Sequence, residues 1–161
     1  IASNTDRSRY YVGELNGKSS KQAYMDALHI SESNIINQTF HNPLGKMNGQ
    51  DICIISLKEV SGNGLCCYRQ VNDSDVLVLE EQDYNEILDE TLQRIRRDFN
   101  HISGVFSINC VFRYLLFSQE HHMEDYLKTM STLGEHAGLI GFGEHYNQQF
   151  VNQTMTCVVF E

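Results

Sequence analysis

The sequence predicts an α+β domain: a mixed, largely antiparallel sheet layered with two or three helices. Three observations carry this. The first half alternates short β-branched or aromatic runs with Gly- and Asn-containing turn signals, the pattern of a hairpin meander. The second half runs strand, helix, strand, helix, strand, strand, and strands separated by helices pair in parallel through right-handed crossovers. Helical periodicity is confined to three segments. A chain of 161 residues and 18.5 kDa suits one domain, 1–161, with a real hydrophobic core.

The elements follow in order. Residues 9–15 (RYYVGEL) form a first strand, closed by the Asn16-Gly17 turn signal. Ser19 or Ser20 caps a short helix with Ala23, Tyr24, Ala27 and Leu28 on one face. Residues 30–50 are polar and irregular, with an extended piece around Thr39–Phe40 and Pro43 as punctuation. DICIISL (51–57) is a strand, Ser61-Gly62-Asn63-Gly64 a hairpin turn, and LCCYRQV (65–71) the returning strand. VLVLE (76–80) is a further strand. Asp83 and Glu86 then make a capping box, because Asp83 can accept from the free N–H groups of a helix start. Behind it Tyr84, Ile87, Leu88, Leu92, Ile95 and Phe99 fall on one stripe, with Glu90 and Arg94 paired on the wet side. GVFSINC (104–110) is an apolar strand. Met123, Tyr126, Leu127, Met130 and Leu133 mark another amphipathic helix, Gly138–Phe142 leads into a strand, and MTCVVF (155–160) is the last.

Charge and composition exclude several classes. Twelve Lys+Arg against 21 Asp+Glu leave a net charge of -9, so no basic track is available to neutralise nucleic-acid phosphates. No apolar run reaches the ~18 residues of a membrane span, and no charged-then-apolar leader opens the chain. Residues 73–98 hold nine acids, Glu80 and Glu81 among them, against three arginines. Acids early and bases late in that helix suit its macrodipole, and the plain reading is a solvated face.

The five cysteines (Cys53, Cys66, Cys67, Cys110, Cys157) are odd in number, form no CxxC, and mostly sit in apolar β-branched runs. Free thiols there behave as small buried hydrophobes, which predicts a reducing, cytoplasmic setting over a disulfide scaffold. The sequons at Asn37, Asn72 and Asn152 are read as chance.

The densest chemistry lies in the last third. Asn109-Cys110-x-x-Arg113 ends a buried strand, where crevices form in open sheets. Gly141-Phe142-Gly143-Glu144 ends the next strand, and Gly143 lets the backbone turn or approach a ligand. Asn152-x-Thr154 opens the final strand. Together, Arg113 offers a planar fork for a carboxylate and Glu144 a partner for an ammonium, the two charges of a small zwitterion such as an amino acid. The same two residues equally suit a structural salt bridge tying two loops. Cys110 is a packed thiol unless a base or cation makes it a nucleophile. His121 and His122, with Glu124 and Asp125, match no zinc spacing, and adjacent helical residues diverge by ~100°. Gly134, Gly138, Gly141 and Gly143 form neither a dinucleotide nor a P-loop motif, so no cofactor is expected. Asp51 and Asp75 show no acid–base partner.

These pieces, in this order, resemble the C-terminal region of the FIST sensory domains. The likeness runs from Tyr10 to Phe160. It begins with Val12-Gly13-Glu14-Leu15-Asn16-Gly17 and the Ala23-Tyr24 helix, and continues with the Asn42-Pro43-Leu44-Gly45 turn. Phe106-x-x-Asn109-Cys110-x-x-Arg113, Gly141-Phe142-Gly143-Glu144 and Phe150-x-Asn152-x-Thr154 complete it. The chain departs from the pattern in carrying Asn109 where many relatives have Ser, and a shorter Phe142-Gly143-Glu144 spacing. The resemblance implies a cytoplasmic, non-enzymatic sensor of a small metabolite, amino acids among the proposed ligands. It further implies a piece of a longer signalling protein, covalently linked to an output domain such as a chemotaxis transducer or kinase. The chain's start at Ile1 fits that expectation. The residues expected to touch the ligand are Arg113, Glu144, Asn109, Cys110, Asn152 and Thr154; no membrane contact is expected. Two alternatives stand beside the sensor: an interaction module using the acidic helix or a sheet edge, and an enzyme working through Cys110.

Overall fold

A computed structural model describes residues 1–49, 51–75, 77–79, 83–146 and 149–161. They fall into two compact units, Ile1–Glu81 and Gln82–Glu161. The α+β class with largely antiparallel sheets is borne out, but the strands divide among four small sheets, and five α-helices appear among the described residues where two or three are expected.

In the first unit, β1 (Ala2–Asp6), β2 (Tyr11–Leu15), β7 (Gly64–Cys67) and β6 (Leu57–Ser61) make an antiparallel sheet, with the short β3 (Lys18–Ser19) beside β2. Asn16 and Gly17 both take positive φ, as the Asn-Gly signal requires, and turn β2 into β3. Helix α1 (Ser20–Leu28) starts at Ser19, whose hydroxyl accepts from the Gln22 N–H at 3.3 Å. Tyr24 is the fully buried member of its stripe, its hydroxyl donating to the Asn42 carbonyl at 2.7 Å, whereas Ala27 faces solvent.

The stretch read as irregular holds a 3-10 turn (Glu32–Asn34), the short α2 (Ile35–Gln38) and β4 (Leu44–Asn48). Thr39 and Phe40 continue the helical turn instead of extending, their N–H groups bonding back to Ile36 and Asn37. Strands β5 (Asp51–Ile55) and β8 (Leu77–Leu79) flank β4 in a second antiparallel sheet. Glu80 and Glu81 of the acidic run, and Val76 and Glu80 of the VLVLE strand, lie outside the described residues. Val12, Tyr24, Ile35, Leu44, Ile55, Leu57 and Leu65 form the core.

The second unit opens with α3 (Tyr84–Asp98). Asp83 caps it by accepting from the Asn85 and Glu86 N–H groups, and Leu88, Leu92 and Ile95 are the buried line of its stripe. Ile87 is largely exposed. β9 (Gly104–Cys110) is the central strand of a three-stranded sheet, parallel to β10 (Glu135–Gly141) and antiparallel to β13 (Met155–Phe160). Two helices, α4 (Val111–Gln119) and α5 (Met123–Ser131), supply the crossover between β9 and β10. The sequence reading missed α4. His121 precedes α5 at positive φ, so His121 and Asp125 do not share a helix face. A two-stranded hairpin, β11 (Glu144–Tyr146) and β12 (Gln149–Val151), lies between β10 and β13. Among the described residues no helix is long and apolar enough to cross a membrane.

Candidate functional site

The residue alternation of β9 explains the site. Successive side chains of a strand point to opposite faces. Val105, Ser107 and Asn109 therefore point the same way and are buried, while Phe106 is partly exposed on the other side. Buried polar groups need partners. The Asn109 amide donates to the Tyr126 hydroxyl at 2.6 Å and lies 3.4 Å from the Ser107 hydroxyl. Ser107 Oγ is 2.9 Å from His136 Nε2, and Tyr126 also reaches Met155 Sδ at 3.3 Å. Gly138 is Ser107's partner across the strands, and a Cβ there would sit 2.6 Å from Ser107 Oγ. A larger residue would displace the hydroxyl from His136. Burial holds the His136 imidazole below its ordinary value, hence neutral.

Chain direction delivers the arginine. β9 ends at Cys110 and α4 starts at Val111, so Arg113 stands in the first helical turn and not at a strand end as the spacing suggests. There its Nε donates to Asn109 Oδ1 at 3.2 Å, and its guanidinium carbon lies 4.9 Å from the centre of the Phe117 ring. Positions 109, 113 and 117 thus stack amide, cation and arene at intervals of four. Burial pulls the guanidinium below its usual value, and the Glu144 charge pulls it back up. Among the described residues its two terminal nitrogens have no hydrogen-bond partner.

A second arm comes from the hairpin and the loop after it. Glu144 is 3% exposed, and its Oε2 accepts from the Thr154 hydroxyl at 2.6 Å. Oε1 is buried with no partner among the described residues, and so is Asn152 Oδ1. The Cys110 N–H donates to the Thr154 carbonyl at 3.0 Å, tying this loop to the end of β9. A Cβ at Gly141 would meet Glu144 Oε1 at 3.6 Å, which places the carboxylate over the end of β10. Burial raises the Glu144 carboxyl above the usual carboxylate range, against the Thr154 bond and the Arg113 charge, which lower it. Arg113 and Glu144 therefore feel one another's charge, yet no salt bridge joins them. The loop-tying ion pair is not formed.

All six expected site residues lie in the second unit, around the C-terminal end of β9. Asn109, Arg113 and Cys110 come from β9 and α4. Glu144, Asn152 and Thr154 come from the hairpin and the loop leading into β13. Cys110 is fully buried, and burial raises its thiol above its ordinary value despite nearby backbone N–H groups. A protonated thiol is the opposite of what a nucleophile needs. Sequence reasoning passed over Ser107, Tyr126 and His136. The available signal was Ser107 alternating with Asn109 inside an apolar strand, two polar residues on one buried face. An open concavity near the end of α3, lined by Arg96, Phe99, His101 and Thr132, shares no residue with this constellation. No cluster of three or more His, Cys, Asp or Glu able to hold a metal occurs among the described residues.

The model of the FIST C domain family matches residues 21–147. The chain belongs to the FIST C domain family. FIST domains are non-catalytic sensory modules, and membership supports a general sensory, signal-transducing role. The matched span of this FIST C domain takes in Asn109, Cys110, Arg113 and Glu144 and stops short of Asn152 and Thr154. Neither a curated protein nor a solved structure matches the chain.

Proposed function

We propose that this FIST C domain senses a small metabolite carrying a protonated amino group, an amino acid being the simplest, and passes its binding to a covalently linked output domain. One observation carries the reading: a carboxylate oxygen, Glu144 Oε1, is buried with nothing to accept from. A buried carboxylate oxygen left without a donor is costly, and a ligand ammonium supplies the missing donor. Asn152 Oδ1 is a second orphan acceptor on the same loop system. The free terminal nitrogens of Arg113 suit the carboxylate of the same zwitterion. Binding that favours one arrangement of the hairpin shifts a population and needs no reaction.

Titration calorimetry with a panel of amino acids and amines on the full chain tests this. The expected result is saturable heat with at least one α-amino acid, lost in Glu144→Gln. No heat and no shift in melting temperature across the panel, in protein shown to be folded, overturns it.

A further inference from the structure

Tyr126 touches both of the groups that hold Arg113. Its hydroxyl oxygen accepts from the Asn109 amide at 2.6 Å, and Asn109 Oδ1 in turn accepts from Arg113 Nε at 3.2 Å. Its ring packs against that of Phe117, centroids 5.4 Å apart, and the Phe117 ring lies under the guanidinium. Tyr126 is itself buried, on α5. Two unlike contacts, one polar and one aromatic, therefore lead from a single side chain of α5 to a single side chain of α4.

The polar row runs one way. An arginine N–H only donates, so the carbonyl end of the Asn109 amide faces Arg113 and its NH2 end faces away. The Tyr126 oxygen receives that NH2 group, and its own hydrogen goes to Met155 Sδ at 3.3 Å. A thioether has no hydrogen to return. With a donor-only group at one end and an acceptor-only group at the other, a single orientation of the amide satisfies the row. Without the Tyr126 oxygen, the NH2 group keeps only its 3.4 Å contact to Ser107. A guanidinium offers a carboxylate two edges: Nε with one terminal nitrogen, or the two terminal nitrogens together. Asn109 occupies the first.

We propose that Tyr126 is a positioning residue of the metabolite site. It fixes Asn109 and Phe117 so that Arg113 presents only its two terminal nitrogens, and it thereby favours ligands that carry a carboxylate. Tyr126 acts through Arg113 and does not itself meet the ligand. The selectivity rests on the amino-acid reading of the site; the hold on Arg113 does not.

The test uses the full chain, Tyr126→Phe and two readouts. The first needs no ligand: exchange of the Arg113 Nε–H with water, followed by heteronuclear NMR and assigned by its absence in Arg113→Lys. It is expected to quicken at least tenfold in Tyr126→Phe. The second is calorimetry with L-α-amino acids and their decarboxylated amines as matched probes. Tyr126→Phe is expected to weaken the amino acids at least fivefold and the amines less than twofold. Met130→Val alters buried packing one turn along the same helix, leaves the row intact, and changes neither readout. Should Tyr126→Phe fail to fold, Asn109→Leu cuts the row at its next member and is held to the same two readouts. Unchanged Nε–H exchange in folded variant protein overturns the proposal. So does an equal loss for amino acids and amines, or the same changes in Met130→Val, either of which would mean general loosening. Wild type that binds none of the probes overturns the amino-acid reading, whereas the exchange readout still decides whether Tyr126 holds Arg113.

Discussion

Thr154 and Glu144 share a hydrogen bond of 2.6 Å that satisfies one carboxylate oxygen of Glu144 and leaves the other bare. The bond comes from a residue ten positions later, so the loop ahead of β13 and the start of β11 hold one another in place.

Glu144→Gln stabilises the ligand-free protein. Burial raises the folded carboxyl's pKa, so the folded state holds its proton more tightly than the unfolded state, whose value is near 4.5. Native stability therefore falls as pH rises above that value and the buried group ionises. Glutamine carries no charge and still accepts from Thr154. Differential scanning calorimetry at pH 7 is expected to show a rise of roughly 2–4 °C in melting temperature, shrinking to nothing as pH drops below 4.5. A lower melting temperature at pH 7 would contradict the reading.

Ligand binding releases protons. An ammonium seated on Glu144 favours its ionised form, so at a pH near the raised Glu144 value part of the population loses a proton on binding. The apparent enthalpy, measured by titration in two buffers of different ionisation enthalpy, is expected to differ between them in wild type. Affinity should strengthen as pH rises through the raised Glu144 value.

Tyr126→Phe loosens the polar cluster beneath the sheet. It removes the oxygen that accepts from Asn109 at 2.6 Å and leaves a buried amide N–H with only the 3.4 Å contact to Ser107. Urea unfolding is expected to show a loss of about 1–3 kcal/mol.

Stability at mildly acid pH depends on His136. Its folded value is lowered by burial beneath the ordinary 6.5, so the unfolded chain takes up the proton first as pH falls. This contribution is fully present above 6.5 and is lost as pH drops through the folded value. The melting temperature of wild type should fall more steeply between pH 7 and pH 5 than that of His136→Gln.

Gly143→Ala is expected to cost about 1–3 kcal/mol. Gly143 has φ of 141°, and an added Cβ would lie 2.3 Å from the Phe150 ring. The hairpin carrying Glu144 would have to shift, so chemical denaturation and ligand titration should both report the change.

Much of the fold was legible because its signals are local. The Asn16-Gly17 turn, the Asp83 cap, the Leu88–Leu92–Ile95 stripe and the strands at 104–110 and 155–160 each follow from residues close in sequence. Helix α4 was not legible, because VFRYLLFSQ carries apolar side chains on most sides and shows no clean stripe. Residues 32–38 escaped for the opposite reason: Ile35 alone of that polar run is buried. The six proposed site residues stand out in the sequence as groups beside glycines and strand ends. Their geometry does not, since Arg113 turns back onto Asn109 only because a helix begins one residue after Cys110. Ser107 and His136 meet through strand pairing between segments 29 residues apart, which no local pattern encodes.

The stack of Asn109, Arg113 and Phe117 has a consequence for how an anion would be received. One edge of the guanidinium is anchored and one face lies on an arene, so a long side chain that would ordinarily sample many rotamers is already aimed when the chain has folded. Its ordering entropy is met at folding and does not weigh on binding. Replacement by lysine would keep the charge and lose both anchors, so the deficit should be largely entropic and separable by calorimetry from the loss of a contact.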